Sequence, residues 1–91
     1  MKISDVAKVK VNFPKADFWL IRKGSIDKVG MPVNEFCSEH IGIKTQEAIA
    51  DPRYYFYRVT YFHSCGVFKL IARGTLNLKH ITIEDVKNLP A

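Results

Sequence analysis

The chain has 91 residues, a formal net charge of +5 and an isoelectric point of about 9.4. Apolar residues make up 47% and aromatic residues 12%, which excludes an intrinsically disordered chain. A chain of this length is expected to form one domain, spanning residues 1–91, with burial limited to roughly 60–65% of the extended surface.

In chain order, MKISDVAKVKV opens with a short helical turn capped by Ser4, then an extended piece in which Val9 and Val11 alternate with Lys8 and Lys10. Asn12, Phe13 and Pro14 interrupt it. Phe18 to Ile21 has strand composition, with Trp19 as a core anchor. Arg22-Lys23-Gly24-Ser25 reads as a turn, after which Ile26 and Val29 resume an edge strand. Pro32, Asn34 and Ser38 break the next stretch. HIGIK is extended again, and Gly42 marks a bulge or a close backbone approach.

Asp51-Pro52 then predicts a helix from Pro52 to about Ser64: an N-cap oxygen followed by a residue preorganised for the first turn. Tyr55, Phe56, Val59, Phe62 and His63 fall at helical spacing. YYFYRVTYFH is also rich in strand formers, but the cap and the length favour helix. Gly66 ends it, and Val67 to Ile71 forms a second short helix closed by Gly74. RGTLNLK reads as a loop leaving that helix, with Leu76 and Leu78 as anchors. Thr82 and Asp85 have cap-pair spacing for a last helix, about Ile83 to Asn88, which Pro90 stops.

The positive charge is uneven. Residues 1–30 carry seven bases against three acids and residues 61–91 four against two, whereas residues 31–60 carry three against four. Two separated segments therefore supply it. Such a balance suits a phosphate backbone, since each neutralised phosphate releases counterions, but is equally compatible with a basic protein that binds no nucleic acid.

Enzymatic motifs are absent. The acids form no tight carboxylate pair, Ser25 has no evident base, and the glycines form neither a GxxxxGK[ST] loop nor a GxGxxG turn. Cys65 and His63, two apart on a helix, point in different directions. Cys37, Cys65, His40, His63 and His80 lack the close spacing of a zinc site, so no metal or cofactor is expected, and the cysteines read as free thiols of a reducing compartment. No apolar run approaches the ~20 residues of a membrane span, and MKISDVAKVK lacks a signal-peptide core. A cytoplasmic, noncatalytic protein without a membrane partner is the expectation.

Recognition chemistry is better supplied. Arg22, Lys23, Ser25 and Lys28 form one candidate phosphate-binding segment, and Arg73, Thr75, Asn77 and Lys79 another. Arg73 and Asn77 are the chemically credible base readers, because Arg matches guanine N7 and O6 and Asn matches adenine N6 and N7. Thr75 and Asn77 serve equally well as local backbone partners, and Gly74 as a cap. Tyr54, Tyr55, Phe56, Tyr57, Tyr61 and Phe62 are a base-stacking platform or, as their spacing favours, core. Left uncovered, they point to a protein interface.

Three blocks, ADFWLIRKGSIDKVG (16–30), DPRYYFYRVTYF (51–62) and ARGTLNLKHITIEDVKNLP (72–90), occur in an order that resembles the target recognition domain of type I restriction-modification specificity subunits. In that family an R/K-Gly-Ser/Thr turn follows a strand, a Tyr-rich helix comes next, and a Gly-Thr loop precedes a short helix and an Ile/Leu-Pro motif. The resemblance carries the first turn onto Arg22, Lys23, Gly24 and Ser25, and the loop onto Gly74, Thr75, Asn77 and Leu78. The chain departs from the family in lacking the long spacer helices, in its shorter N-terminal part, and in having Leu76 or a neighbour where Gln is common. The resemblance implies an α+β domain, with a small mixed or antiparallel sheet, a main helix and two short C-terminal helices. It implies noncatalytic binding of double-stranded DNA, aided by self-association or by docking on a larger restriction-modification subunit. The alternative is a protein-interaction or regulatory module that keeps this fold without reading DNA.

Overall fold

A computed structural model describes residues 1–46, 48, 51–75 and 77–91. The first turn, α1 (Ile3–Val6), is capped by Asp5, whose Oδ2 accepts the Lys2 amide at 2.8 Å. Lys2, and not Ser4, is thus the cap position; Ser4 lies inside the turn. The chain runs straight into β1 (Ala7–Val11), where Ala7 and Val9 are buried and Lys8 and Lys10 exposed, as alternation demands.

Next come β2 (Phe18–Leu20), β3 (Lys23–Gly24), β4 (Pro32–Val33) and β5 (Ile41–Thr45). β1, β5, β2 and β4 form an antiparallel sheet in that order. Its register aligns Val9, Ile43 and Phe18 in one row and Val11, Ile41 and Leu20 in another, which makes the core face. α2 (Pro52–Ser64) contributes Tyr55, Val59 and Phe62 to this core, and Phe18 meets Phe56 edge-on at 5.4 Å. Asp51 Oδ1 accepts the Arg53 amide at 2.9 Å and Pro52 occupies the first turn, so the cap signal overrides the strand-like composition. The short helix α3 (Val67–Ile71) adds Phe68, whose ring lies over Gly30; a Cβ there would fall 2.2 Å from the ring, and the φ of +82° excludes most other residues.

Trp19 is buried, but on the reverse face. Its row runs Lys10, Gly42, Trp19, Val33, and the connection from Asn12 to Asp17 crosses over it. Trp19 Nε1 donates to the Phe13 carbonyl at 2.9 Å, and Phe36 packs edge-on at 6.0 Å. Gly42 is the close approach: a Cβ would fall 2.8 Å from the Cβ atoms of both Ala16 and Phe13.

The last third of the chain builds a second sheet. β6 (Arg73–Thr75) and β7 (Leu78–His80) form a hairpin, and β3 joins it in the order β3-β7-β6. The segment read as a loop is thus paired backbone, and Lys23 and Gly24, read as part of a turn, are a strand. Ile26 to Gly30 is a turn instead of an edge strand: the Ser25 carbonyl accepts the amides of Lys28 and Val29 at 3.0 and 3.1 Å. Leu76, expected to anchor the loop, lies outside the described residues. The helix α4 (Ile83–Lys87) follows, with Thr82 and Asp85 capping each other as their spacing predicts. Ile3 donates to the Leu89 carbonyl and Ala91 to that of Met1, which ties the two ends together.

The architecture is α+β, with two antiparallel sheets and, among the described residues, a main helix and three short ones. No helix among those residues is long and apolar enough to cross a membrane.

Candidate nucleic-acid interface

The two basic segments meet in the second sheet, because β3 and β6 both pair with β7. Lys23, His80 and Arg73 form one row, Gly24, Lys79 and Gly74 the next, and Thr75 pairs with Leu78. Side chains alternate along strands, so Lys23, Arg73, Thr75, Leu78 and His80 share a face and Lys79 projects from the other. Glycine on both sides of Lys79 leaves it without a flanking side chain from the sheet on that reverse face. Lys28 lies toward it, since its Cβ is 3.7 Å from where a Gly24 Cβ would stand. The predicted bases therefore divide, Lys23 and Arg73 in front and Lys28 and Lys79 behind.

Lys23, Arg73 and Thr75 are exposed and His80 is half-buried. Arg22 enters β3 with its carbonyl accepting the Ile81 amide at 3.0 Å, while its Nε donates to the Glu39 carbonyl at 2.9 Å. Beside them opens a cleft of about 320 Å³ whose polar lining is Arg22, Lys23, His80, Thr82 and Glu84 over an apolar floor. Asn77 is exposed in the β6–β7 turn, and Ser25 is half-buried where its turn begins.

Arg73 is not a free guanidinium. Its two terminal nitrogens lie 2.8 and 3.4 Å from the Asp85 carboxylate, which is 14% exposed against 57% for Arg73. Burial pushes the Asp85 carboxyl up, but the Thr82 amide, the Arg73 guanidinium and the Thr82 hydroxyl together hold it below its ordinary value. A bidentate contact from Arg73 to a guanine edge must displace this partner.

His80 was not among the predicted recognition residues. It is placed opposite Arg73 by the β6–β7 register, which no local sequence signal announces. The aromatic set splits: Tyr55 and Phe62 are core, whereas Tyr54, Tyr57 and Tyr61 are exposed. The Tyr61 phenol is pushed up by its hydrogen bond with the Cys65 thiol.

Cys37 and His40 line a common cavity, of about 430 Å³. His40 Nδ1 is shielded from solvent and has no hydrogen-bond partner among the described residues, so no thiol–imidazole bond forms at that nitrogen. His63 instead meets the Asp27 carbonyl at 2.7 Å. Among the described residues no three His, Cys, Asp or Glu side chains gather as metal ligands. Comparison with protein-family models, curated proteins and solved structures finds no match to this chain.

Proposed function

We propose that the chain is a noncatalytic double-stranded DNA-binding module, of the kind its sequence resembles in restriction-modification target recognition domains. The row Lys23, His80, Arg73 carries this reading: segments far apart in sequence supply cations to one sheet face. Lys23 and Arg22 contact phosphate oxygens, and Arg73, in the same row as Lys23, together with Thr75 and Asn77 toward the hairpin turn, reaches toward a groove. Lys79 and Lys28, on the reverse face, add to the field that draws a polyanion and do not touch the same groove. Single modules bury little nucleic-acid surface, so docking on a larger subunit or self-association would add to affinity.

Selection from a randomised duplex pool at several salt concentrations tests this. Lys23→Ala weakens all sequences alike and lowers the salt slope by about 0.9 for each phosphate that is no longer neutralised, whereas Arg73→Ala relaxes sequence preference. Absence of salt-sensitive binding overturns the proposal and favours the interaction module.

A further inference from the structure

α2 presents a second surface. Tyr54, Tyr57, Arg58 and Tyr61 stand at positions i, i+3, i+4 and i+7, and together they line a depression of about 360 Å³. Tyr54, Tyr57 and Tyr61 are 51, 70 and 62% exposed, on the side of the helix turned away from Tyr55, Val59 and Phe62. None of the four lines the cleft beside β3 and β7.

We infer that this face docks an acidic amphipathic helix of a partner protein, which inserts one apolar side chain between the three tyrosines and pairs a carboxylate with Arg58. Four side chains at this spacing form the hole that receives a single knob from a facing helix. Tyr and Arg are also the residues most often found to dominate interface energy. Charge selects the partner. α2 contains Arg53 and Arg58 and no Asp or Glu. Arg53 is already held by Asp51 at 2.9 Å.

Arg58 lies over the Phe62 ring at 5.0 Å, and its Nε, shielded from solvent, has no hydrogen-bond partner among the described residues. A carboxylate set beside that guanidinium adds charge-assisted bonds to it. A second copy of the chain is the poorer occupant. Antiparallel pairing of two α2 helices about this depression brings Arg58 against its own copy, in molecules that each carry a net charge of +5. Nucleic acid is poorer too, because a single arginine offers little to a phosphate backbone.

The test uses the full chain, its amide NMR spectrum, and two synthetic amphipathic helical peptides with Leu at heptad positions a and d. One carries Glu at e and g, the other Lys. The Glu peptide is expected to shift the α2 amides and leave those of β3, β6 and β7 in place, while the Lys peptide shifts neither. Tyr57→Ala, at an exposed position, weakens the Glu peptide about tenfold without loss of fold. Arg58→Glu abolishes Glu-peptide binding and creates Lys-peptide binding, with Trp19 emission reporting that the fold is retained. No shift at millimolar Glu peptide overturns the inference, as does equal binding of both peptides. Dimerisation of the free chain that Tyr57→Ala abolishes would assign the face to a second copy. Tighter binding of an oligothymidine strand at the same amides would assign it to nucleic acid. Either result refutes the helix partner.

Discussion

Gly42→Ala is predicted to destabilise the protein through the reverse face of the main sheet. The new methyl would stand 2.8 Å from the Cβ atoms of Ala16 and Phe13 and 3.1 Å from Trp19 Cδ1. Carbon atoms pack at about 3.5–4.0 Å, so two neighbours must each yield by roughly 0.7 Å or more. Neither can do so by rotating a side chain, because both are Cβ atoms fixed to the backbone of the crossing segment. Moving that backbone also disturbs the bond from Trp19 Nε1 to the Phe13 carbonyl. Overpacking of this kind costs about 1–3 kcal/mol, of which the lower unfolded-state entropy of Ala offsets about 0.5–1 kcal/mol. The net loss, about 0–2.5 kcal/mol, lowers Tm by up to roughly 20 °C in a domain of this size. Thermal and urea unfolding followed by Trp19 emission measure it. Gly24→Ala is the control, since its methyl would meet Ile21 and Lys28 atoms at an ordinary 3.7 Å. A Gly42→Ala Tm equal to or above that of Gly24→Ala would refute the reasoning.

Asp17→Ala removes a mostly buried carboxylate that accepts the Thr45 amide at 2.8 Å and the Lys44 ammonium at 2.9 Å. Urea titration is expected to show a loss of about 1.5–3 kcal/mol, as for other hydrogen bonds to charged groups. Asp85 sets an acid dependence. Its folded pKa is depressed, so its contribution is complete above the ordinary carboxylate value of about 4 and disappears as pH falls through the folded value. Tm measured against pH should therefore show wild type above Asp85→Asn near neutrality and the gap closing in acid.

The elements legible in the sequence are those with local signals. The Asp51-Pro52 cap and the spacing of Tyr55, Val59 and Phe62 define α2, and the Thr82–Asp85 pair defines the start of α4. Alternation does the same for β1. β3, β6 and β7 gave no such signal: they are two or three residues long and largely exposed, and β3 finds its partner only across the fold. Nor does FWL alternate, since both faces of β2 are covered; Trp19 was readable as buried but not as lying opposite the main core. The basic residues of the candidate site were legible in type and not in direction. Whether Lys79 stands with Lys23 or behind it is decided by a one-residue register that composition does not carry.

Asp85 has two roles, helix cap and counter-ion to Arg73, and their separation tests whether Arg73 takes part in binding. Asn at position 85 retains an oxygen for the Thr82 amide, which Asp85 accepts at 2.9 Å, but removes the charge that holds the guanidinium at 2.8 Å. An exposed ion pair contributes about 0–1 kcal/mol, so releasing Arg73 increases its availability by at most about fivefold. Removal of a carboxylate from the sheet face also lowers repulsion toward phosphate. Asp85→Asn should thus bind duplex DNA a few-fold more tightly than wild type, with a steeper salt dependence, while being less stable. Fluorescence anisotropy on a fixed duplex measures this, and the double variant with Arg73→Ala should lose the gain. If Asp85→Asn weakens binding, or if its gain survives Arg73→Ala, then Arg73 serves to fix α4 to the hairpin and the proposed DNA face reduces to Arg22, Lys23 and His80.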